Sequence, residues 1–561
     1  GSDGALLRAA DASIQKANLT EKLLIPALVK LSNFVPGGGV WMNTERPEWN
    51  DANNALVGNG LSMVTAGHLL RYVGFCRDWW SQLDHEKQIS LSAPVADFVD
   101  SLLSILSNKN TDPHASTADD VLRAQVVREL GLSGQCYREH VYAGDFENQR
   151  KLALKNVLEL LENADRWLRA SLLAAKRADG LMNSYNLLDY SADRNSMSVG
   201  ELNEMLEGQV SGLSAGHLSS VEAVELVDTM FESQLYVEDR NSFLLYPDRK
   251  LPMFMDKGLI QETDLGSSQL LRHMISEGDA RLVSKDIQGK FRFASKLNNK
   301  DALLLLLKEL SAELRLTDLV EQEFSLILNI YENTFNHRAF TGRSGGMFSF
   351  EGLGCIYWHQ VSKLLLAVQE CFFKEAEKTS PDNELLNALG VRYYKIRKGL
   401  GFNKTAKEYG AFPSDPYSHT PAHSGAQQPG MTGQVKEEII TRFGELGIRI
   451  RGGALNIDPR LLQASEFTHQ SRTFETMTVD GRHESFELKS GSLAFTYCQT
   501  PFIYSTGTDA AHIRIEIDYQ DDKQQVSEGS QLPADAYQDV IRRTGNIRSV
   551  RVIVPEQILF Q

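Results

Sequence analysis

Paired cysteine chemistry is missing from this chain. Its five cysteines, Cys76, Cys136, Cys355, Cys371 and Cys498, are odd in number and include no CxxC pair. Neither a disulfide framework nor a thiolate zinc site is expected, and a reducing, cytoplasmic compartment is. Proline is scarce, 16 in 561 residues against 42 glycines, which excludes a proline-rich linker. No apolar run reaches the roughly 18 residues that a membrane span needs. No basic-then-apolar stretch marks a leader, so no membrane partner is expected. A basic excess is also missing. The formal net charge of -15 repels phosphate backbones and argues against a nucleic-acid partner. The chain contains no GxxxxGK[ST] phosphate loop, no dinucleotide loop after a strand and no GxSxG elbow. The opening Gly1-Ser2 reads as a tag scar, so the natural N-terminus is expected to lie outside this sequence.

What is present is an ordinary soluble composition, 42% hydrophobic and 23% charged, on a chain too long for one average domain. Up to about residue 460 the apolar spacing is helical. Leu152, Leu154, Val157, Leu158, Leu160 and Leu161 open one long amphipathic segment ending near Lys176. Similar segments cover 6–33, 58–83, 117–131, 218–234, 301–314, 318–333, 353–378 and 431–446. No short repeat marks a solenoid. Beyond about residue 466 the period becomes two. Ile513, Ile515 and Ile517 alternate with Arg514, Glu516 and Asp518, and Val550, Val552 and Val554 alternate with Arg551 and Ile553. Antiparallel strands covering a core on one side are expected there. The resulting division is a helical domain over 1–460 and a β domain over 461–561.

Three connecting segments are unusually polar, aromatic and glycine-rich. The first runs from Val35 to Asn54 and carries Trp41, Arg46, Glu48, Trp49, Asn50 and Asp51. Flat indole faces beside amides and carboxylates suit a sugar, which has one apolar face and a rim of hydroxyls. The same residues would also serve as helix caps (Asp51, Asn53) and core tryptophans. The second runs from Asn336 to Glu351, contains Arg343, and leads to a helix carrying Tyr357, Trp358 and His359. Glu351 suits a second carboxylate opposite Asp51, as inverting glycosidases require, or a helix N-terminal acid. The third runs from Tyr409 to Gln434 and holds Tyr417, His419 and His423. A loop this long inside a compact domain is functional or disordered as a rule, and its Tyr and His content favours function. It ends at Thr432-Gly433-Gln434, where a helix start offers N–H groups to an anion. The two histidines sit four apart in a proline-containing loop rather than on a helix, and no metal is expected.

The run Glu48-Trp49-Asn50-Asp51, continued by Asn53, Asn54 and Val57-Gly58, resembles the Asp-Trp-Asn-Asp-Gly stretch of the cellobiose and chitobiose phosphorylases, glycoside hydrolase family 94. Two further stretches are similar to that family. Glu207 through Gly216, which includes Gln209, resembles a family helix start, and Thr432-Gly433-Gln434 resembles its Thr-Gly-Ser helix. The resemblance implies an (α/α)6 toroid with a C-terminal antiparallel β domain, Asp51 as general acid, Trp49 and Gln209 at the sugar, and an oligosaccharide partner. Three departures bear on it. Phe350 stands where the family has a phosphate-binding His, and Gln434 where it has Ser. Only about one helix precedes the motif, so the early hairpins of the toroid are absent or rearranged, or the chain is the C-terminal part of a larger enzyme.

The expected activity is cleavage of glycosidic bonds, of β-linked gluco-oligosaccharides, with inversion. The two missing phosphate ligands place hydrolysis, with Glu351 activating water, slightly ahead of phosphorolysis. No cofactor is expected. Inorganic phosphate would be a co-substrate, held by Arg343, His419, His423 and the helix start at Thr432. A non-catalytic glycan-binding protein is the alternative of a different class. A two-fold homodimer is the default assembly.

Overall fold

The computed structural model describes residues 6–8, 12–42, 56, 58–146, 148–191, 193–247, 253–335, 356–400, 419–420, 432–507 and 512–561. The chain divides into two compact units. Residues 1–41, 61–247 and 354–561 form one, and residues 42–60 and 248–353 form the other. The second unit interrupts the expected helical domain and takes the 301–314 and 318–333 segments out of it.

In the larger unit the helices begin where the sequence supplies a cap. Asn18 Oδ1 accepts the Glu21 N–H at 2.9 Å, so the first helix is Leu19–Leu31 rather than the whole of 6–33. Ser62 Oγ accepts the Thr65 N–H at 3.0 Å and starts helix Met63–Trp80. Helix Leu154–Ala174 buries the predicted stripe from Leu154 on, with Leu154, Val157, Leu160 and Leu161 inside, whereas Leu152 lies in strand Gln149–Ala153; the Trp167 indole donates to the Leu106 carbonyl at 2.9 Å. The main core joins these helices to Trp358–Ala376 and Asn383–Lys398.

Four helices of this unit share one direction: Met63–Trp80, Leu206–Ser214, Trp358–Ala376 and Thr432–Glu445. The first two begin together at Ser184. Its carbonyl accepts the Met63 N–H at 2.9 Å, and its hydroxyl accepts the Gly208 N–H at 2.8 Å. Farther along, the Cys371 thiol lies 3.8 Å from the Leu213 carbonyl, and the Lys374 ammonium donates to the Gly216 carbonyl at 2.8 Å. The Arg71 guanidinium meets Glu370 at 2.7 Å. Gln369 donates to the Thr441 carbonyl at 2.8 Å, and Arg449, just past the last helix, reaches Glu377 at 2.8 Å. Each pair advances in the same sense along both partners, so the four N-terminal ends point one way.

A small sheet was not legible in the helical stretch. Its strands, in spatial order, are Phe34–Val35, Gly39–Trp41, Gly60–Ser62, Tyr185–Tyr190 and Met197–Glu201. The Pro-Gly-Gly-Gly at its start is structural: a side chain at Gly39 (φ 109°) would meet the Ser62 carbonyl oxygen at 2.5 Å.

The C-terminal region has its own apolar core, which begins at Leu446 and Ile448, before the expected boundary at 461. Its main sheet runs, in order, Ser492–Tyr497, Thr500–Gly507, Ile547–Pro555, Arg514–Tyr519, Gln524–Glu528. Ile515 pairs with Val552 and Ile517 with Val550, antiparallel, and all four are fully buried, as the alternation predicts. One pairing corrects the expectation. Thr500–Gly507 runs parallel to Ile547–Pro555, because the connection between them passes through the remaining strands and helix Ala534–Arg542.

The smaller unit has helices Gln269–Ser276, Lys300–Ser311 and Thr317–Phe335 and a hairpin of Val283–Lys285 with Phe291–Phe293. Leu270, Leu271, Leu303, Leu307, Ile327 and Tyr331 are its core. Glu323 holds the start of the first of these helices, accepting from the Ser268 hydroxyl at 2.6 Å and the Gln269 N–H at 2.8 Å.

Candidate active site

The polar groups best placed for chemistry lie at the common N-terminal end of the parallel helices. Glu207 stands in the first turn of helix Leu206–Ser214. The Tyr185 hydroxyl donates to its Oε2 at 2.6 Å. Tyr185 is itself buried, held by the strand that follows Ser184. Desolvation pushes the Glu207 carboxyl above the usual carboxylate range, while the Tyr185 bond and the Lys363 charge pull it back less strongly. Part of Glu207 nevertheless stays open to solvent. Lys363, on helix Trp358–Ala376, is exposed. His68, on helix Met63–Trp80, is exposed too, and its pKa is lowered by desolvation and by the Lys363 and Arg71 charges. A carboxyl whose pKa is raised by burial, near the Lys363 ammonium, can accept from and orient a hydroxylated substrate, and donates to it when protonated.

The chain leads from each candidate loop into this end. Leu61, Ile356 and Thr432, which follow the three loops, enter helices Met63–Trp80, Trp358–Ala376 and Thr432–Glu445 at their N-terminal ends. Tyr357 lies in a short strand rather than in the helix, paired with His419, while Ile356 pairs with Thr420 and bridges to Leu244. The Leu206 N–H donates to the neighbouring Leu245 carbonyl at 2.8 Å. The foot of the second loop, part of the third and the start of the Glu207 helix are thereby tied together.

Asp51, Arg46, Glu48, Trp49, Asn50, Arg343, Glu351, Tyr417 and His423 lie outside the described residues, as does Phe350. Thr432, Gly433 and Gln434 form the first turn of their helix, as expected. Trp41 is half-buried and packs against the cluster of Val35, Leu61, Ala124, Val127, Leu188 and Met197. Gln209 is a correction. It is fully buried; its Oε1 accepts the Met182 N–H, and its Nε2 donates to the Met182 and Met205 carbonyls, each at 2.8 Å. Both amide hydrogens are spent on backbone, so no sugar reaches it. Sequence reading passes over Glu207, although one signal was available: it is the only charged side chain in a helix otherwise made of small, apolar and amide residues.

Residues 251–338 match the sequence profile described as the GH149 phosphorylase insertion domain 2. The chain is therefore an enzyme of the glycoside phosphorylase or hydrolase type. The match lies within the smaller unit and supports a phosphorylase-related family like family 94, without singling one out. No curated protein matches the chain. Among the described residues no helix is long and apolar enough to cross a membrane.

Proposed function

We propose that this enzyme breaks a β-glycosidic bond of a gluco-oligosaccharide by phosphorolysis with inversion, inside an (α/α)6-type toroid to which the parallel helices contribute. In this reading a phosphate oxygen attacks the anomeric carbon from the face opposite the leaving group. The bond from that carbon to the glycosidic oxygen breaks, and its electron pair leaves with the oxygen. Asp51 gives that oxygen a proton, and an α-sugar 1-phosphate forms. The observation that carries the reading is the match of residues 251–338 to an insertion domain of a phosphorylase. The Trp49-Asn50-Asp51 motif supports the choice of acid.

A second reading rests on Phe350 and Gln434, which stand where phosphate-binding His and Ser are found in family 94. Glu351 would then deprotonate water, and the product would be a reducing sugar. One experiment separates the two. β-Linked glucose oligosaccharides of each linkage are incubated with and without inorganic phosphate. A sugar 1-phosphate formed only with phosphate supports the proposal; equal release of reducing sugar in both arms overturns it.

A further inference from the structure

We propose that Glu207, oriented by Tyr185, is a substrate-binding residue that engages a sugar hydroxyl through its free carboxyl oxygen. The proposal rests on the glycosidic reading above and adds to it a residue that the sequence motifs do not single out.

The first support is a comparison among the glutamates of the same unit. Glu21 accepts from the Ser92 N–H at 2.8 Å on one oxygen and from the Ser92 hydroxyl at 2.7 Å on the other. Glu445 accepts from Tyr393 at 2.6 Å and, on its second oxygen, from Arg442 at 2.7 Å. Glu375 takes Ser220 and Lys378 on one oxygen and the Asp382 N–H at 3.1 Å on the other. These three carboxylates are struts with both oxygens bonded. Glu207 is bonded through Oε2 alone, and its Oε1 is not among the sealed-in unpaired atoms. An open, unbonded oxygen on an otherwise desolvated carboxyl is free to take a ligand hydroxyl in place of water.

The second support is orientation. Glu207 is anchored from three sides: Tyr185 bonds its carboxyl, the Gly208 N–H is held by Ser184, and the helix is seated by Gln209. A side chain at Gly208 would strike the Ser184 hydroxyl at 2.4 Å, so this backbone can approach only as glycine. Such anchoring leaves Oε1 with one direction, the kind of preorganisation that a hydroxyl-specific contact needs.

The third support is protonation. A carboxylic acid accepts at one oxygen and donates at the other, so it can replace the hydrogen bonds that a sugar hydroxyl makes with water. Among the described residues, the titratable and charged groups that act on it are Tyr185 on its strand and Lys363 on helix Trp358–Ala376; His68, on helix Met63–Trp80, feels the Lys363 charge and that of Arg71 on its own helix. The exposed Lys363 charge lowers the carboxyl pKa less than desolvation raises it. As pH rises through the raised pKa, Oε1 loses its proton and its ability to donate.

The test is the pH dependence of kcat/KM for wild type, Glu207→Gln, Glu207→Leu, Tyr185→Phe and Asp51→Asn, with a β-linked glucose oligosaccharide and phosphate. Glu207→Gln keeps a donor and an acceptor and has no proton to lose. It is expected to retain activity near neutrality within about tenfold, the worth of one hydrogen bond, and to lose the alkaline limb that Glu207 imposes. Tyr185→Phe removes the bond that favours the charged form, so the limb should move to higher pH. Glu207→Leu should raise KM by about tenfold or more with a smaller change in kcat. An alkaline limb unmoved in both Glu207→Gln and Tyr185→Phe overturns the proposal, and this readout survives a failure of Glu207→Leu to fold. If Asp51→Asn is inactive in that case, the glycosidic reading still stands. Full activity in Asp51→Asn, with none in Glu207→Gln, would make Glu207 the proton donor and overturn both.

Discussion

Gln209 and Met182 exchange two hydrogen bonds, each 2.8 Å, side-chain amide to backbone, across 27 residues of chain. The pair joins the start of helix Leu206–Ser214 to the segment before the Tyr185 strand. Removing the amide would strand the buried Met182 N–H and the Met182 carbonyl, and would leave the Met205 carbonyl with the Ser184 hydroxyl at 3.2 Å. Gln209→Leu is therefore expected to cost about 3 kcal/mol or more in stability. Urea melts measure that cost directly. A variant with unchanged stability and weakened sugar binding would return Gln209 to the ligand role.

Asp51→Asn tests the acid. An amide cannot protonate the departing oxygen, so turnover should fall by about 10²–10⁴-fold while oligosaccharide binding persists. Steady-state rates beside calorimetric titration with the same oligosaccharide make the comparison. Undiminished turnover would rule Asp51 out as the donor.

The acceptor is tested at Glu351. If phosphate attacks, Glu351→Gln leaves phosphorolysis within about tenfold, because no general base is lost. If water attacks, the same change removes most of the reducing sugar released. Product analysis by phosphate-dependent and phosphate-free assays distinguishes the two.

Trp41 is seated against a small core and is only half-buried. Trp41→Ala should cost less than the roughly 3–5 kcal/mol of a fully buried tryptophan, yet should still register in a thermal melt. Trp49→Ala should instead weaken sugar binding with cooperative unfolding preserved. A melt unchanged in Trp41→Ala, with binding lost, would assign Trp41 to the sugar.

His217, in the turn after helix Leu206–Ser214, has no partner for either ring nitrogen. Desolvation, then the Arg169 charge, bring its pKa down to about 4. The folded protein keeps this ring neutral, whereas the unfolded chain protonates it near pH 6.5. Its stabilising contribution is thus present above that pH and lost as pH falls toward 4, by at most about 3 kcal/mol. Denaturant melts at pH 7.5 and 4.5 should show a smaller acid loss in His217→Leu than in wild type. Equal losses would contradict this account.

Much of the secondary structure was legible because burial imposes a period. The stripe from Leu154 to Leu161 became a helix, and the Ile515 and Val552 alternation became paired strands. The small sheet was illegible because its strands are short: Phe34–Val35 and Gly39–Trp41 are two and three residues, too few to set a period. The smaller unit escaped notice for a different reason. Its helices Lys300–Ser311 and Thr317–Phe335 have the same amphipathic texture as the rest, and texture does not say which core a helix joins.

Residue order alone determined the Trp49-Asn50-Asp51 motif, the helical period up to about residue 460 and the alternation beyond it, since each is a property of neighbours in the chain. Only the tertiary structure decided that Gln209 is a strut, and that Glu207, with one oxygen bonded by Tyr185 and the other open, is the carboxyl left to be completed. The physical reason is that hydrogen-bond satisfaction and desolvation are set by groups far apart in sequence. Tyr185 and Glu207 are 22 residues apart, and Lys363 is reached only through the packing of another helix.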